Sequence, residues 1–280
     1  MPQPVPYYIC SMPKTISSFQ NKEIRSLVQL QEKSRIRKRE GRFVIEGRRE
    51  IQLARKGGYK ISSIFYCPKL ITAEEFDIQL EQTGPAAYSI PEELYTRLAY
   101  RGSTEGIIAI AETRSLSLSE VRLQQENPLI LVAEAPEKPG NIGALLRTAD
   151  AAGVDAVLIA NLRTDLYNPN IIRSSVGCVF TTQIGLGSTV EILNFLNQRD
   201  IPIYGAALQA SVPYYTADLT GAAAIVVGTE ATGLSDLWLK NSRGNLVIPM
   251  QGEIDSMNVS VAAGILIFEA VRQRRSAAKG

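Results

Sequence analysis

Strand and helix patterns alternate through the second half of the chain, and this alternation constrains the fold more than any other feature. From Pro128 onward, short apolar runs rich in β-branched residues alternate with helical patterns. Strands are predicted at 129–135, 154–160, 180–185, 202–208, 223–228 and 246–249, and helices at about 140–152, 168–176, 189–198, 233–241 and 258–274. Buried strands that alternate with helices are typical of a mostly parallel sheet covered on both faces. The sequence therefore predicts an α/β domain over residues 128–280.

A smaller α/β unit is predicted over residues 14–112. Its first helix runs from Ser17 or Ser18 to about Arg39, with an apolar stripe on one side. The other predicted elements are strands at 42–46, 61–67 and 106–111 and helices at 48–55, 73–81 and 91–98. Residues 1–13 contain several prolines and no periodicity, so we expect a disordered lead-in there. Residues 113–127 are predicted to be a linker with a short helical turn.

Positive charge is concentrated in one segment of the chain. The whole chain has a formal net charge of +2, yet residues 22–60 hold thirteen Lys or Arg residues against five glutamates. Clusters of Lys and Arg bind phosphates mainly by releasing condensed counterions. The segment therefore predicts contact with a nucleic acid, and the alternative is a solvated basic helix.

The composition excludes several classes of chemistry. The chain has no histidine, which removes Ser-His-Asp triads, Cys-His dyads and histidine metal sites. Cys10, Cys67 and Cys178 lie far apart without a C-x-x-C pair, so we expect a reducing compartment and no metal. No apolar run approaches the length of a membrane span and no signal peptide is visible, so we predict a cytoplasmic protein without a membrane partner.

Three stretches of the second half contain polar residues that are not required to pack a hydrophobic core. The first, 129–153, is a buried strand, a Pro/Gly turn and a helix with Asn141 near its start and Arg147 inside it. Such a turn puts functional groups at the carboxyl end of a strand, where open α/β sheets bind ligands. The alternatives are that Asn141 only caps the helix and that Arg147 is only a surface residue.

The second and third stretches also follow strands. In the second, a strand runs into Gly228-Thr229-Glu230 with Gly233 behind, which is either a close approach of backbone to a ligand or an ordinary turn. In the third, a short strand ends in Ile248-Pro249-Met250 and leads to Ser256-Met257-Asn258-Val259-Ser260 and a long apolar helix. The alternative for the third is a core helix capped by Ser256 or Asn258.

Nucleotide-dependent classes fit these stretches poorly. The first stretch has G-N-I-G rather than the dinucleotide pattern G-x-G-x-x-G, and Ala160-Asn161 stand where an acid would bind a ribose. The P-loop pattern of nucleotide hydrolases and the D/E-x-G-x-G loop of Rossmann-type methyltransferases are both missing. A dinucleotide enzyme is therefore disfavoured.

Taken in order, the three stretches resemble the motifs of the SpoU/TrmH family of RNA 2′-O-ribose methyltransferases, part of the SPOUT superfamily. The resemblance covers residues 128–276. It rests on Lys138-Pro139-Gly140-Asn141-Ile142-Gly143 with Arg147, on Gly228-Thr229-Glu230 with Gly233-Leu234, and on Ile248-Pro249-Met250 with Ser256 to Ala263. Lys138 stands where many members of the family have an acid. The basic helix and Phe43 to Arg48 resemble the family's L30e-like substrate-binding domain.

The resemblance implies a deep C-terminal trefoil knot that holds S-adenosylmethionine. The residues implied to bind this cofactor are Gly228, Thr229, Ile248, Met250 and Met257. Backbone groups of such loops suit a neutral adenine, because they discriminate by hydrogen-bond direction without burying a charge. Bulk at position 228 is expected to weaken cofactor binding.

The resemblance also implies the catalytic residues. Arg147 would position the RNA phosphate and lower the pKa of the ribose 2′-hydroxyl, because a guanidinium is almost always protonated. Asn141 would hold that geometry, and Asn258 and Ser260 would order the surrounding loop. Glu230 is a second candidate for accepting the proton, or a structural contact.

The implied partners are RNA and a second copy of the chain. The residues predicted to contact RNA are Arg35, Arg37, Lys38, Arg39 and Arg48. The two-domain layout favours ribosomal RNA over transfer RNA. The remaining alternative is a non-catalytic RNA-binding or ribosome-assembly protein of the same fold.

Overall fold

The computed structural model describes residues 13–72, 76, 86–102, 105–209, 211–229 and 232–278. The chain divides into two compact units between Arg114 and Ser115. The predicted lead-in lies outside the described residues except for Pro13, and so does the predicted helix at 73–81 except for Phe76.

The first unit is a mixed sheet with helices. Its elements are β1 (Lys14–Thr15), α1 (Lys22–Glu32), α2 (Ser34–Glu40), β2 (Arg42–Glu46), α3 (Arg48–Lys56), β3 (Ile61–Tyr66), β4 (Ala86–Ser89), α4 (Glu92–Leu98) and β5 (Ile107–Glu112). The strands are ordered β1-β4-β3-β5-β2, and β5 runs antiparallel to both of its neighbours. The core beneath α1 and α4 is formed by aliphatic and aromatic side chains such as Leu27, Phe65 and Tyr95.

The predicted helix at the start of this unit is in fact two helices. Its first turn begins at Asn21, whose side chain accepts a hydrogen bond from the Glu23 N–H at 2.9 Å, rather than at Ser17 or Ser18. Lys33 is extended and ends α1. The Arg37 guanidinium then donates to the carbonyls of Leu30 and Gln31 at 2.6 and 3.0 Å. These bonds satisfy carbonyls that a helix end leaves without a partner.

The second unit is the predicted parallel α/β domain. Its elements are β6 (Leu129–Glu134), α5 (Pro139–Ala152), β7 (Ala156–Ala160), α6 (Pro169–Ser174), α7 (Cys178–Thr181), β8 (Ile184–Gly187), α8 (Thr189–Asn197), β9 (Ile203–Ala206), β10 (Ser211–Pro213), β11 (Ala223–Val227), α9 (Asp236–Asn241), β12 (Gly244–Val247) and α10 (Val259–Ala277). The strand order is β10-β12-β9-β11-β6-β7-β8, and every pairing in it is parallel. The predicted fold class is confirmed, and the trefoil knot stays a prediction.

The strand predicted at 180–185 is partly wrong. Cys178–Thr181 is a helical turn, and the strand begins only at Ile184. Short apolar runs do not distinguish a buried strand from a buried helix by periodicity. Val179 and Phe180 are buried in this helical turn, so their apolar character reflects burial and not a strand.

The segment predicted as a linker belongs in part to the second unit. A 3-10 helix at Leu118–Glu120 packs against β8, and Val121 is buried in the same core as β6 and β7. Gly185 and Gly187 leave the space for this contact, because a Cβ at either position would lie 2.8 Å from Val121 or Leu118. The apolar residues of 115–127 therefore cover an edge of the sheet.

The parallel strands place their carboxyl ends at one edge of the sheet. The turns after β6, β9, β11 and β12 consequently lie near one another, and each of the three motif stretches passes through one of these turns. Within the part of the chain that the structure describes, no helix is long and apolar enough to cross a membrane.

Candidate active site

A first cavity of about 460 Å³ lies at this edge. Its walls are the turns after β9, β11 and β12 and the first turns of α10. All five residues predicted to bind the cofactor line it: Gly228, Thr229, Ile248, Met250 and Met257. The lining also includes Leu208, Leu246 and Leu266, together with the carboxylate of Asp255. The lining thus combines apolar side chains with polar groups in about equal parts, and a few polar groups among apolar walls are usual in a site for a small molecule.

Gly228 is required by the loop itself. A Cβ at this position would lie 2.2 Å from the carbonyl carbon and oxygen of Gly233. The two ends of this loop are joined by hydrogen bonds from the Thr229 N–H to the Gly233 oxygen at 3.0 Å and from the Gly233 N–H to the Thr229 oxygen at 3.1 Å. A side chain at position 228 would therefore collide with the backbone of the loop itself, whether or not a ligand is bound. Glu230 lies outside the described residues.

A buried carboxylate that the sequence analysis missed fixes the far end of this loop. Glu134, the last residue of β6, is 7% exposed and accepts hydrogen bonds from the Ser235 N–H at 2.9 Å and the Ser235 hydroxyl at 2.7 Å. The Thr189 hydroxyl donates to it at 3.4 Å. An acid at the end of an otherwise apolar strand was the available signal, because buried carboxylates need several donors.

A second cavity of about 480 Å³ adjoins the first. The residues that line both cavities are Val227, Gly228, Thr229, Thr232 and Val259. The second cavity differs in character, because its wall also contains Glu137, Lys138, Asn141 and Arg163. Two cavities, the second of which contains side chains of both charges, are therefore separated by a single wall at the end of β11.

Three of the predicted catalytic residues are joined by hydrogen bonds beside this wall. The Asn258 Nδ2 donates to the Asn141 Oδ1 at 3.2 Å. The Asn258 Oδ1 accepts from the Ser260 N–H at 3.0 Å and from the Ser260 hydroxyl at 2.6 Å. Asn258 is thus the cap of α10 as well. Asn141 is not the cap of α5, because that position is Lys138.

Arg147 lies apart from these three residues. It is exposed on α5, six residues after Asn141, a separation of about 9 Å along a helix axis. Neither cavity is lined by it. Within one copy of the chain, the structure therefore does not bring Arg147 to the hydrogen-bonded group of Asn141, Asn258 and Ser260.

The predicted RNA-binding residues of the first unit differ in their exposure. Arg35, Lys38 and Arg39 are exposed on α2. Arg37 is 3% exposed and caps α1, so its assignment to RNA was wrong: its guanidinium is occupied by backbone carbonyls. The Arg48 N–H donates to the Glu105 Oε2 at 2.6 Å at the start of α3, and its side chain is half-buried.

An acid lies within this basic surface. Hydrogen bonds from Arg42 and Arg39 hold the pKa of Glu40 below its ordinary value. Glu40 is therefore ionised at neutral pH and offsets part of the positive charge next to Arg39. In the described ranges, no group of three or more acidic or sulfur side chains could hold a metal ion.

The fold and the site define a class of protein: a parallel α/β domain with two adjoining ligand cavities at the strand ends, preceded by a smaller α/β unit. Residues 128–268 match the SpoU rRNA Methylase family, and residues 21–109 match the MRM3-like substrate binding domain. The chain belongs to the SpoU rRNA methylase family. The resemblance inferred from the three motifs is confirmed, as is the N-terminal substrate-binding domain.

Individual relatives cover both units. The chain is 28% identical over 256 residues to the 23S rRNA (guanosine(2553)-2'-O)-methyltransferase RlmP of Bacillus subtilis, which covers 91% of this chain and 98% of that protein. It is 36% identical over 203 residues to the 23S rRNA (guanosine-2'-O-)-methyltransferase RlmB of Vibrio parahaemolyticus, with 71% and 82% covered. The solved structure of the SpoU methyltransferase AviRb from Streptomyces viridochromogenes, in complex with AdoMet, is similar with a TM-score of 0.84, 26% identity and 92% and 99% coverage.

Proposed function

We propose that this protein transfers a methyl group from S-adenosylmethionine to a ribose 2′-oxygen of 23S ribosomal RNA. The observation that carries the proposal is the pair of adjoining cavities, which share the wall formed by Val227 to Thr229 with Thr232 and Val259. A methyl group passes between two ligands only if their reacting atoms meet, and a shared wall at the end of β11 permits that approach.

The first cavity fits the cofactor by its size and chemistry. Its volume of about 460 Å³ is within the usual range of roughly 300–1,000 Å³ for small-molecule sites. Backbone groups at Gly228, Ile248 and Met257 suit the adenine, and the Asp255 carboxylate suits the positive charge of the methionine part. When bound, the cofactor supplies an electrophilic methyl group on a sulfonium.

The polar residues beside the wall would orient the ribose. Asn141 lines the second cavity, Asn258 donates to its side-chain oxygen, and Ser260 in turn donates to Asn258. Arg147 would hold a phosphate and lower the pKa of the 2′-hydroxyl rather than remove its proton, because a guanidinium offers donors and no acceptor. We assign that proton to an RNA phosphate oxygen beside Arg147, with Glu230 as the second candidate acceptor.

A second copy of the chain would complete the site. On α10, the apolar side chains of Val261 and Phe268 are 52% and 46% exposed, and exposed apolar surface suits contact with another protein chain. This helix packs on α5 close to Arg147, since a Cβ at Gly264 would lie 3.7 Å from the methyl of Thr148. A partner that covers α10 would bring its own Arg147 towards the second cavity of the first copy.

Phe268→Asp tests the dimer. We expect monomers by sedimentation and loss of methyl transfer, with S-adenosylhomocysteine binding retained, because the first cavity belongs to one copy. Val190→Asp is the matched control, since Val190 is 55% exposed on another helix. A Phe268→Asp dimer with normal activity would contradict this arrangement.

The first unit would bind folded RNA through its exposed basic residues. Arg35, Lys38 and Arg39 suit phosphate contacts that position an RNA without reading its sequence. A substrate of this kind implies a cytoplasmic protein. Ribosomal RNA is favoured over transfer RNA because the rRNA-modifying relative RlmP matches across both units.

The test is methyl transfer to unmodified transcripts. The purified protein is incubated with labelled S-adenosylmethionine and 23S rRNA, 16S rRNA or a tRNA pool, and the modified ribose is mapped. We expect incorporation into one 2′-oxygen of 23S rRNA. Incorporation into tRNA alone would support the tRNA alternative, and cofactor binding without transfer to any RNA would support the non-catalytic one.

A further inference from the structure

Two oppositely charged side chains of the second cavity have no role in the reaction as described so far. Glu137 comes from the turn after β6, and Arg163 comes from the loop between β7 and α6. Both line the cavity together with Lys138 and Asn141. A cavity that accepts a ribose of an RNA strand must also accommodate the phosphates on either side of it, so these charges face the polyanion.

The loop that carries Arg163 is fixed on both sides of it. The Asn161 N–H donates to the Gly187 carbonyl at 2.9 Å, which extends the pairing of β7 with β8. On the other side, the buried Asp165 accepts a hydrogen bond from the Tyr167 N–H at 3.0 Å. The backbone beneath Arg163 is therefore held, whereas its side chain is 64% exposed.

The tip of Arg163 is bound to a partner that a phosphate can replace. Its Nη1 donates to the Glu137 Oε1 at 2.5 Å, and the Glu137 side chain is 59% exposed. An ion pair in this position is weak, because water screens both charges. A phosphate offers two oxygens in the geometry that a guanidinium binds with two parallel hydrogen bonds. An incoming RNA can therefore take Arg163 from Glu137 at little cost.

We propose that Arg163 is a positioning residue that clamps the phosphate beside the target ribose, and that Glu137 holds it until the RNA arrives. The inference rests on the proposed function, because it assigns an RNA strand to the second cavity. Glu137 acts against RNA binding in this scheme, since it competes for Arg163 and repels the phosphate. The two partners of one ion pair thus have opposite effects on the affinity for RNA.

The experiment measures the affinity for an unmodified 23S rRNA transcript with S-adenosylhomocysteine present, over a series of salt concentrations. Arg163→Gln is expected to weaken binding about tenfold, as for loss of a charged hydrogen bond. The magnitude of its log–log salt slope should fall by about 0.7, the value for one phosphate contact in a single strand. Glu137→Gln is expected to strengthen binding about threefold, and this gain should shrink in the Arg163→Gln background.

Three further measurements separate the clamp from a structural ion pair. Arg163→Lys should restore part of the affinity, because the charge remains while the paired hydrogen bonds are lost. In methyl transfer, Arg163→Gln should raise the KM for RNA more than it lowers kcat. The affinity for S-adenosylhomocysteine should not change. The exposed pair Asp236 and Lys240, at 3.8 Å on α9, supplies the matched controls Asp236→Asn and Lys240→Gln.

The outcomes are distinct. If Glu137→Gln and Arg163→Gln weaken RNA binding alike, or if neither changes it, the pair only joins two loops and the clamp is wrong. Methyl transfer by the unaltered protein would still support the proposed function in that case. If the unaltered protein methylates no RNA, the proposed function is wrong, and opposite signs of the two variants in the binding assay would still support the clamp.

Discussion

The two units of the molecule hold their candidate functional residues in different ways. In the first unit, Arg35, Lys38 and Arg39 extend from the surface of a helix into solvent. In the second unit, Asn141 and Asn258 are tied to each other and to the ends of two long helices. Exposed charges act on RNA as a sum of weak contacts, whereas a fixed site acts only when its geometry is intact. Substitutions should therefore give graded losses in the first unit and near-complete losses in the second.

The sharpest test of a fixed site is Gly228→Ala. The new methyl would lie 2.2 Å from the Gly233 carbonyl, so the loop must open. We expect the affinity for S-adenosylhomocysteine, measured by calorimetry, to fall at least a hundredfold, about 3 kcal/mol, which is the upper range for overpacking. Gly252→Ala is the control, because a Cβ there meets nothing within 4 Å. Unchanged affinity for Gly228→Ala would show that this loop is not rigid.

Arg147→Ala tests whether the second unit can lose catalysis while it keeps cofactor binding. Arg147 is exposed and lines neither cavity, so folding and S-adenosylhomocysteine binding should be near normal. Methyl transfer should fall by more than about a hundredfold, because the phosphate and the hydroxyl lose their cation. Turnover within about tenfold of the parent protein, roughly 1.4 kcal/mol in the barrier, would remove Arg147 from the mechanism.

Sequence patterns predicted the second unit more completely than the first. A parallel sheet needs apolar strands separated by helices, and this order of elements is visible in the sequence, so the alternation from Pro128 was enough for the fold class. The resemblance to the SpoU/TrmH family also identified five residues that line one cavity. It did not identify Glu134 or Arg163, because their roles depend on which turns meet at the sheet edge. Strand order is a long-range property that local pattern does not contain.

In the first unit, the concentration of positive charge predicted a region that contacts RNA. It did not predict which residues of that region are exposed. Arg35, Arg37, Lys38 and Arg39 look alike in the sequence, yet the break at Lys33 turns Arg37 inward. No proline or glycine stands at that break, so the sequence does not predict it. An arginine with two backbone carbonyls as partners is part of the fold, and a count of charges cannot separate it from its exposed neighbours.

Arg37→Gln separates the two kinds of arginine in the first unit. Loss of the guanidinium removes the Arg37 donor from the buried bond to the Leu30 carbonyl and the partly buried bond to the Gln31 carbonyl, at a cost of about 2 kcal/mol. Hydrogen exchange should show faster amide exchange in α1 and α2, and the second unit should be unaffected. Arg39→Gln, which changes an exposed side chain of the same helix, is the control. Equal protection in the two variants would contradict a structural role for Arg37.

The smallest effect is expected when only the exposed residues are changed. The triple variant Arg35→Gln, Lys38→Gln and Arg39→Gln leaves the buried Arg37 in place, so exchange in α1 should match that of the parent protein. If the three residues contact RNA, loss of two phosphate contacts lowers the magnitude of the log–log salt slope by about 1.4. Affinity for the 23S rRNA transcript should fall severalfold at moderate salt and converge with that of the parent protein at high salt, because the lost term is electrostatic. S-adenosylhomocysteine binding, which we assign to the other unit, should be unchanged. A salt series with the slope of the parent protein would show that these three residues only form a solvated basic helix. RNA would then be recognised by other residues.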